Sequence, residues 1–321
     1  MTSSRENFPE VIDSTFLAAI KACETKSWRM YVQHWKPSEE SVHLVAGAAF
    51  ARGLEVARRS FWEDGADAET AIATGLPALI ESYGDFQPPE HGSGSAKSLD
   101  RMCGAFEYYF TQFPLVRSAD ALPPGWNEQH DGFPTALPGG RHAIEFSFAE
   151  PLPNIRHPIT DAPLIYSGRA DMIADFAGGL YVWDDKTATQ LGQHWSEQWE
   201  LRSQFTAYTW AARRAGFDVK GVVANGVSIL KTKYDKARAI THRSQWEIDE
   251  WLTVTEKVLT RFIRSWKEGA YEKNLDDSCS SYGGCALRGV CKSPTPDEWL
   301  PLYFSKRVWD PLTRTETPLA P

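Results

Sequence analysis

The stretch GRADMIADFAGGLYVWDDKTAT, residues 168–189, decides how this chain is read. Two apolar runs flank Gly178-Gly179, and Asp184, Asp185 and Lys186 fall where a buried strand would ordinarily continue. Two-residue hairpin turns require positive φ, which glycine adopts without steric cost, so a turn at Gly178-Gly179 predicts a hairpin. In that register Ala177 pairs with Leu180, Asp171 lies opposite Lys186, and Ile173 lies opposite Asp184. Side chains alternate along a strand, so Asp171, Asp184 and Lys186 share one face while Asp185 points to the other. Any loop with an even residue count preserves this, whereas an odd one turns one strand over. Two carboxylates beside an ammonium make an oxygen-rich site that suits a hard divalent cation. The lysine there can hold an attacking water or neutralise a phosphate. On the charges alone, a salt bridge between Asp171 and Lys186 is the alternative.

Outward from the hairpin, strands are expected at 142–150, 164–176 and 180–186, and VKGVVANGVSILKTK (219–233) supplies one or two more. A helix over about 196–215 stops at Gly216. The first third reads as helical. Segments 14–35 (after a Ser14 cap), 41–62, about 69–82 and 98–113 carry apolar residues at helical spacing, the last with a stripe of Leu99, Met102, Phe106, Tyr109 and Phe110. Residues 118–141 are rich in Pro and Gly and read as a loop, and 244–269 form a long amphipathic helix ending at Gly269. The pattern predicts a mixed α/β core with a central sheet flanked by helices. It divides into a helical region 1–117, a core 118–243 and a C-terminal part 244–321, packed as one unit.

The 321 residues are 42% apolar and 12% aromatic, enough for a substantial core, and no run of eighteen apolar residues predicts a membrane span. With no charged-then-apolar leader, the expected location is cytoplasmic. Five cysteines in such a setting argue for metal binding or core packing rather than disulfides. A formal charge of −8 gives no global footprint for nucleic acid, so local patches must carry any such role.

Gly168-x-x-Asp171, then Asp184-x-Lys186-Thr187 at a strand end, then Gln204-x-x-x-Tyr208 in the next helix, together resemble the PD-(D/E)XK nuclease superfamily. The RecB-like exonuclease branch, with its phage exonucleases and CRISPR-associated iron–sulfur nucleases, is the most similar. The resemblance implies a restriction-endonuclease-like core and a nuclease that hydrolyses DNA single strands or duplex ends in recombination or processing, with a recombination or CRISPR-type protein partner. It implies that Asp171 and Asp184 bind Mg²⁺ or Mn²⁺, that Lys186 assists the attacking water, and that Gln204 and Tyr208, four apart on one helical face, contact the DNA. That branch often carries a histidine in an early helix; here LVAGAAFARGLE has Ala51 in its place. Glu55, one turn on, or Glu145, on the strand before the hairpin, would supply a third ligand. Loss of the histidine leaves a DNA-holding or assembly subunit as the alternative function.

Cys279, Cys285 and Cys291 are spaced C-x5-C-x5-C, unlike the short C-x2-C of structural zinc sites. Cys23 matches the isolated N-terminal cysteine of the iron–sulfur members. The resemblance therefore implies a structural [4Fe–4S] cluster on Cys23, Cys279, Cys285 and Cys291, tying the chain ends together, with Zn²⁺ or no metal as alternatives. Cys103, beside Met102 and Phe106, is expected to be a buried thiol. Lys231, Lys233, Lys236, Arg238 and Arg243, with Arg261, Arg264 and Lys267 beyond, would track a phosphate backbone or form a solvated face.

Overall fold

The first helix opens at Asp13, whose carboxylate accepts the Phe16 N–H at 2.8 Å, one residue before the expected cap. The computed structural model describes residues 8–126, 128–275, 277–280 and 284–319, without the side chains of residues 93, 94 and 277. The extreme N-terminus and residues 281–283 of the cysteine segment lie outside the described residues. In chain order, β1 (Val11–Ile12), α1 (Ser14–Ala22), α2 (Glu24–Ser27) and β2 (Trp35–Pro37) come first. They replace the single helix expected over 14–35. The break falls at Cys23, which is extended at φ −171°, because the next residues turn their hydrogen bonds elsewhere: Thr25 donates its N–H to the Glu272 carbonyl at 3.0 Å.

Three helices follow as expected: α3 (Val42–Trp62), α4 (Ala68–Tyr83) and α5 (Leu99–Gln112). Then come β3 (Phe133–Pro134), β4 (Ile144–Arg156), β5 (Pro163–Phe176) and β6 (Gly179–Ala188). The helix expected over 196–215 is two, α6 (Gln193–Glu197) and α7 (Ser203–Arg214), and β7 (Val219–Ile229) and β8 (Tyr234–His242) complete this region. The long helix α8 (Gln245–Glu268) ends at Gly269, whose φ of +70° suits glycine. Beyond it come α9 (Arg288–Lys292), α10 (Pro296–Tyr303), β9 (Phe304–Asp310) and β10 (Thr315–Pro318). Among the described residues no helix is long and apolar enough to cross a membrane.

Two units emerge, each drawn from separated stretches of chain. One comprises residues 40–147 and 169–248. In it, β6 pairs antiparallel with β5 and parallel with β7, β7 pairs antiparallel with β8, and β3 pairs antiparallel with the end of β5. This is the mixed sheet the strand pattern predicted. Helices α3, α4 and α5 cover one face around Phe50, Leu54, Leu79, Met102, Phe106 and Phe110, and reach Val227 and Ile229 of β7. The other face of β7 meets Trp195, which precedes α7.

The second unit comprises residues up to 39, 148–168 and 249 onward. Here β1 pairs parallel with β5 at Val11↔Ile165 and Ile12↔Tyr166. A separate antiparallel sheet runs β10-β9-β2. Leu287, Val290, Leu300 and Phe304 form a small core, with Cys285 and Cys291 against its edge.

Gly226 of β7 lies beside Lys186 in the β6–β7 register, and a Cβ there would run into the Trp195 indole. Gly226→Ala is therefore expected to destabilise this unit by about 1–3 kcal/mol through overpacking, read from the urea unfolding midpoint; Gly47→Ala, on α3, serves as a control, since nothing lies within 4 Å of a Cβ there and its φ is not positive.

Candidate active site

The hairpin turn is Ala177-Gly178, with φ of +47° and +72°, and the closing pair is Phe176↔Gly179. It sits one residue earlier than Gly178-Gly179. Gly179 begins β6 without a positive φ, and the flexible end of the Lys220 side chain lies 2.7 Å from where its Cβ would stand. Lys220 also donates to the Gly178 carbonyl at 3.2 Å. The loop still has two residues, so the faces are as predicted while the register moves by two. One step past the last ladder pair, Met172↔Trp183, Asp171 comes opposite Asp184 rather than Lys186.

Asp171 is held by the strand it faces: its Oδ2 accepts the Asp185 N–H at 2.6 Å. Asp184 is 3% exposed and its Oδ2 lies 2.5 Å from Lys186 Nζ, so the salt bridge forms within β6, not across the hairpin. Burial pushes the Asp171 carboxyl well above the usual range, and the neighbouring Asp185, Asp184 and Glu145 push it further, against Lys186. Burial likewise raises Asp184, opposed by Lys186. For Lys186, burial favours the neutral amine, yet Asp184 and Asp171 hold its proton more tightly and raise it. These directions describe one crowded cluster of Asp171, Asp184, Glu145 and Lys186.

Glu145 enters this cluster from β4. Its backbone is left-handed at φ +54°, uncommon for a residue with a Cβ, and its Oε2 lies 2.6 Å from Arg169 Nε. Glu55 is placed elsewhere: on α3 it pairs with Arg52 at 2.8 Å and Arg59 at 3.1 Å. Ala51 lies one turn before it on the same helix. Gln204 donates to the Tyr208 hydroxyl at 2.9 Å, and that hydroxyl donates to the Arg169 carbonyl at 2.9 Å. Tyr208 is 3% exposed, so it stands behind Lys186 rather than on an open surface.

Asp185 faces the opposite side of the sheet, as alternation requires, and there it joins a network that sequence reasoning missed. Arg58, 1% exposed, lies 2.7 Å from Asp185 Oδ2 and bridges both oxygens of Asp131 at 2.6 and 2.7 Å. The Tyr109 hydroxyl is 2.5 Å from Asp131 Oδ1 and 2.8 Å from Asp185 Oδ1. Asn225 donates to Asp185 at 3.3 Å and accepts from Arg238 at 2.6 Å. Two arginines thus balance two aspartates. One sign was available: on α3, Arg58 follows Phe50 and Leu54 at steps of four, a charge on an otherwise apolar stripe. Arg238, expected on a DNA-contacting or solvated face, is half-buried and donates to Asn225; Arg243, 3% exposed, is internal and donates to Thr206 and to the Trp199 carbonyl.

In the other unit the four predicted cysteines line one pocket, with Lys26, Lys273, Ser278 and Arg288. All five cysteines of the chain are free thiols, and Cys103 is half-buried rather than buried. Burial raises the Cys291 thiol, and the fields of Cys285, Cys23 and Cys279 add to it. Cys23 is fixed by its neighbours. Glu24 takes Arg261 at 2.8 Å and Ser265 at 2.7 Å, and Thr25 bonds the Tyr271 and Glu272 carbonyls. Among the described residues, no group of three or more His, Cys, Asp or Glu side chains is placed so that it could hold a metal ion.

Replacing Arg58 with Met leaves Asp131 and Asp185 buried with one cation fewer, so Arg58→Met is expected to cost about 3–5 kcal/mol in a denaturant titration. Pairing it with Asp131→Asn should recover part of that loss, because the uncompensated charge is removed.

Comparison with solved structures finds similarity to an exonuclease, provisionally so designated, from Eubacterium rectale, at 12% identity over 84% of this chain and 87% of that one, with a TM-score of 0.46. A protein designated SSO0001 aligns at 11% identity over 66% of this chain and 74% of its own, with a TM-score of 0.27. Comparison with curated proteins gives no match. The model of the PD-(D/E)XK nuclease superfamily matches residues 128–292, from just before Asp131 to just past Cys291. With that match spanning more than half of the chain, and the mixed sheet carrying the D-x-K strand, the protein belongs to the PD-(D/E)XK nuclease superfamily.

Proposed function

We propose that this chain is a metal-dependent deoxyribonuclease, an exonuclease acting on single strands or duplex ends in phage or bacterial DNA recombination or processing. The observation that carries the reading is the crowding of Asp171, Asp184 and Glu145 around Lys186 on one face of the sheet. Buried carboxylates repel one another unless a cation joins them, and this donor set of hard oxygens suits Mg²⁺ or Mn²⁺. Asp171 and Asp184 would hold the ion, with Glu145 the better placed of the two candidate third ligands. Bound there, a divalent cation polarises a phosphoryl oxygen and lowers the pKa of water.

The chain's own groups do the rest. Lys186, kept protonated by Asp184 and Asp171, orients the attacking water and faces the charge that grows on the phosphate. The Asp185 N–H fixes the Asp171 carboxylate. Gln204 and Tyr208 brace the Arg169 carbonyl next to the Arg169–Glu145 pair, so their contribution is to positioning as well as to any DNA contact. Ala51 at the histidine position supports a second reading, a DNA-holding subunit of low turnover.

End-labelled single- and double-stranded DNA incubated with Mn²⁺ should be degraded by the wild type and at least 100-fold more slowly (an order-of-magnitude expectation for losing transition-state charge stabilisation) by Lys186→Ala. DNA binding without cleavage would favour the holding subunit. Neither binding nor cleavage would remove the nuclease reading.

The shared pocket of Cys23, Cys279, Cys285 and Cys291 supports a structural [4Fe–4S] cluster, since four thiols from two distant stretches suit a cluster better than isolated packing. An anaerobic preparation is expected to be brown, with about four irons per chain for such a cluster; Cys285→Ser should lose both colour and stability. A colourless protein with one zinc would assign the site to Zn²⁺ instead.

A further inference from the structure

Arg169 stands at the rim of the carboxylate cluster with most of its hydrogen-bonding capacity unused. On β5 it lies two residues before Asp171, so alternation turns it to the face that Asp171, Asp184 and Lys186 share. Its Nε is 2.6 Å from Glu145 Oε2, which fixes the guanidinium at the cluster itself. Its backbone is held as well: the carbonyl accepts the hydroxyl of Tyr208, the residue behind Lys186, at 2.9 Å. A guanidinium is a planar fork of N–H donors, and Glu145 engages one edge of it. Among the described residues neither terminal nitrogen of Arg169 has an acceptor.

Exposure sets the order of depth. The Arg169 side chain is 39% exposed and that of Lys186 31%, whereas Glu145 is at 8% and Asp184 at 4%. The carboxylates form the floor and the two cations the rim, so an anion reaching this face meets Lys186 and the open fork of Arg169 first. Charge balance favours the same ligand. Three carboxylates face two cations, and a divalent ion held there, as the nuclease reading has it, leaves one positive charge in excess, which a single phosphodiester cancels.

We propose that Arg169 clamps the phosphodiester that Lys186 faces, its Nε kept by Glu145 and its two terminal nitrogens donating to the nonbridging oxygens. This rests on the nuclease reading and adds to it the residue through which Gln204 and Tyr208 act: they hold the Arg169 main chain while its side chain meets the substrate. Lysine cannot replace a fork that carries a carboxylate on one edge and a phosphate on the other. The contact is to the backbone and carries no base preference.

The test follows the full chain, as wild type, Arg169→Gln and Arg169→Lys, binding a labelled single strand with Ca²⁺ replacing Mg²⁺ to hold back hydrolysis, and cleaving it with Mn²⁺. Each replacement leaves a donor beside Glu145, so a role confined to steadying that carboxylate survives in both. Arg169→Gln is expected to make the slope of log K against log salt shallower by about 0.7, the loss of one phosphate contact on a single strand. It should also slow cleavage by about 100-fold. Arg169→Lys should keep the wild-type slope, since the charge remains, and cleave more slowly than the wild type, since the fork is gone. A wild-type slope in Arg169→Gln, with DNA bound normally by the wild type, would overturn the clamp and leave the nuclease reading intact. So would a changed slope with undiminished cleavage, which would put the lost contact away from the scissile phosphate. For a wild type that binds without cleaving, the slope alone decides. A wild type that neither binds nor cleaves would overturn the nuclease reading together with the clamp.

Discussion

The buried pairing of Arg58 with Asp185 is the constraint on which the candidate site depends. One strand, β6, carries charges on both faces, and each face solves the problem of burial differently. On the helix-covered side, Asp185 is neutralised by Arg58, hydrogen-bonded by Tyr109 and Asn225, and balanced through Arg238 and Asp131. That side is satisfied. Because the Asp185 N–H is also the donor to Asp171, whatever fixes Asp185 fixes the carboxylate on the far face as well. Breaking the arginine pair would loosen Asp171, a candidate site side chain that Arg58 never touches.

The other face is left in tension. Asp171, Asp184 and Glu145 crowd one lysine, and Glu145 reaches them from a left-handed backbone. In a protein selected for stability alone, this arrangement would be replaced by apolar packing at little cost. Strain and like-charge crowding beside a fully compensated network make sense when a cation and a phosphate are to complete the site.

Much of this was legible in the residues. Period-2 alternation placed Asp171, Asp184 and Lys186 on one face and Asp185 on the other, and that held although the turn fell at Ala177-Gly178, because a shift of two leaves every side chain on its face. What failed to show was long-range partnership. Arg58 and Tyr109 belong to helices read as apolar stripes, Asp131 to a loop, and nothing local connects them. Cys23 lay within a helical period, so its extended backbone, set by Thr25 bonding to residues 271 and 272, was invisible. The C-terminal strands escaped because Phe304–Asp310 is paired with Trp35–Pro37, hundreds of residues away in the chain, rather than with a neighbour of strong strand pattern. Arg238, on β8, and Arg243, just past its end, read as surface charge, since a sequence cannot say which protein groups a guanidinium will meet.

Direct observation of the ion tests the central claim, that Asp171 and Asp184 form one cation site shared with Lys186 on a single face of β6. Electron paramagnetic resonance of Mn²⁺ titrated into the full chain would count the bound metal without any substrate. The account predicts that Asp171→Asn and Asp184→Asn each abolish binding while Glu55→Gln leaves it as in the wild type. Binding that survives both aspartate changes, or that disappears with Glu55→Gln, would contradict it.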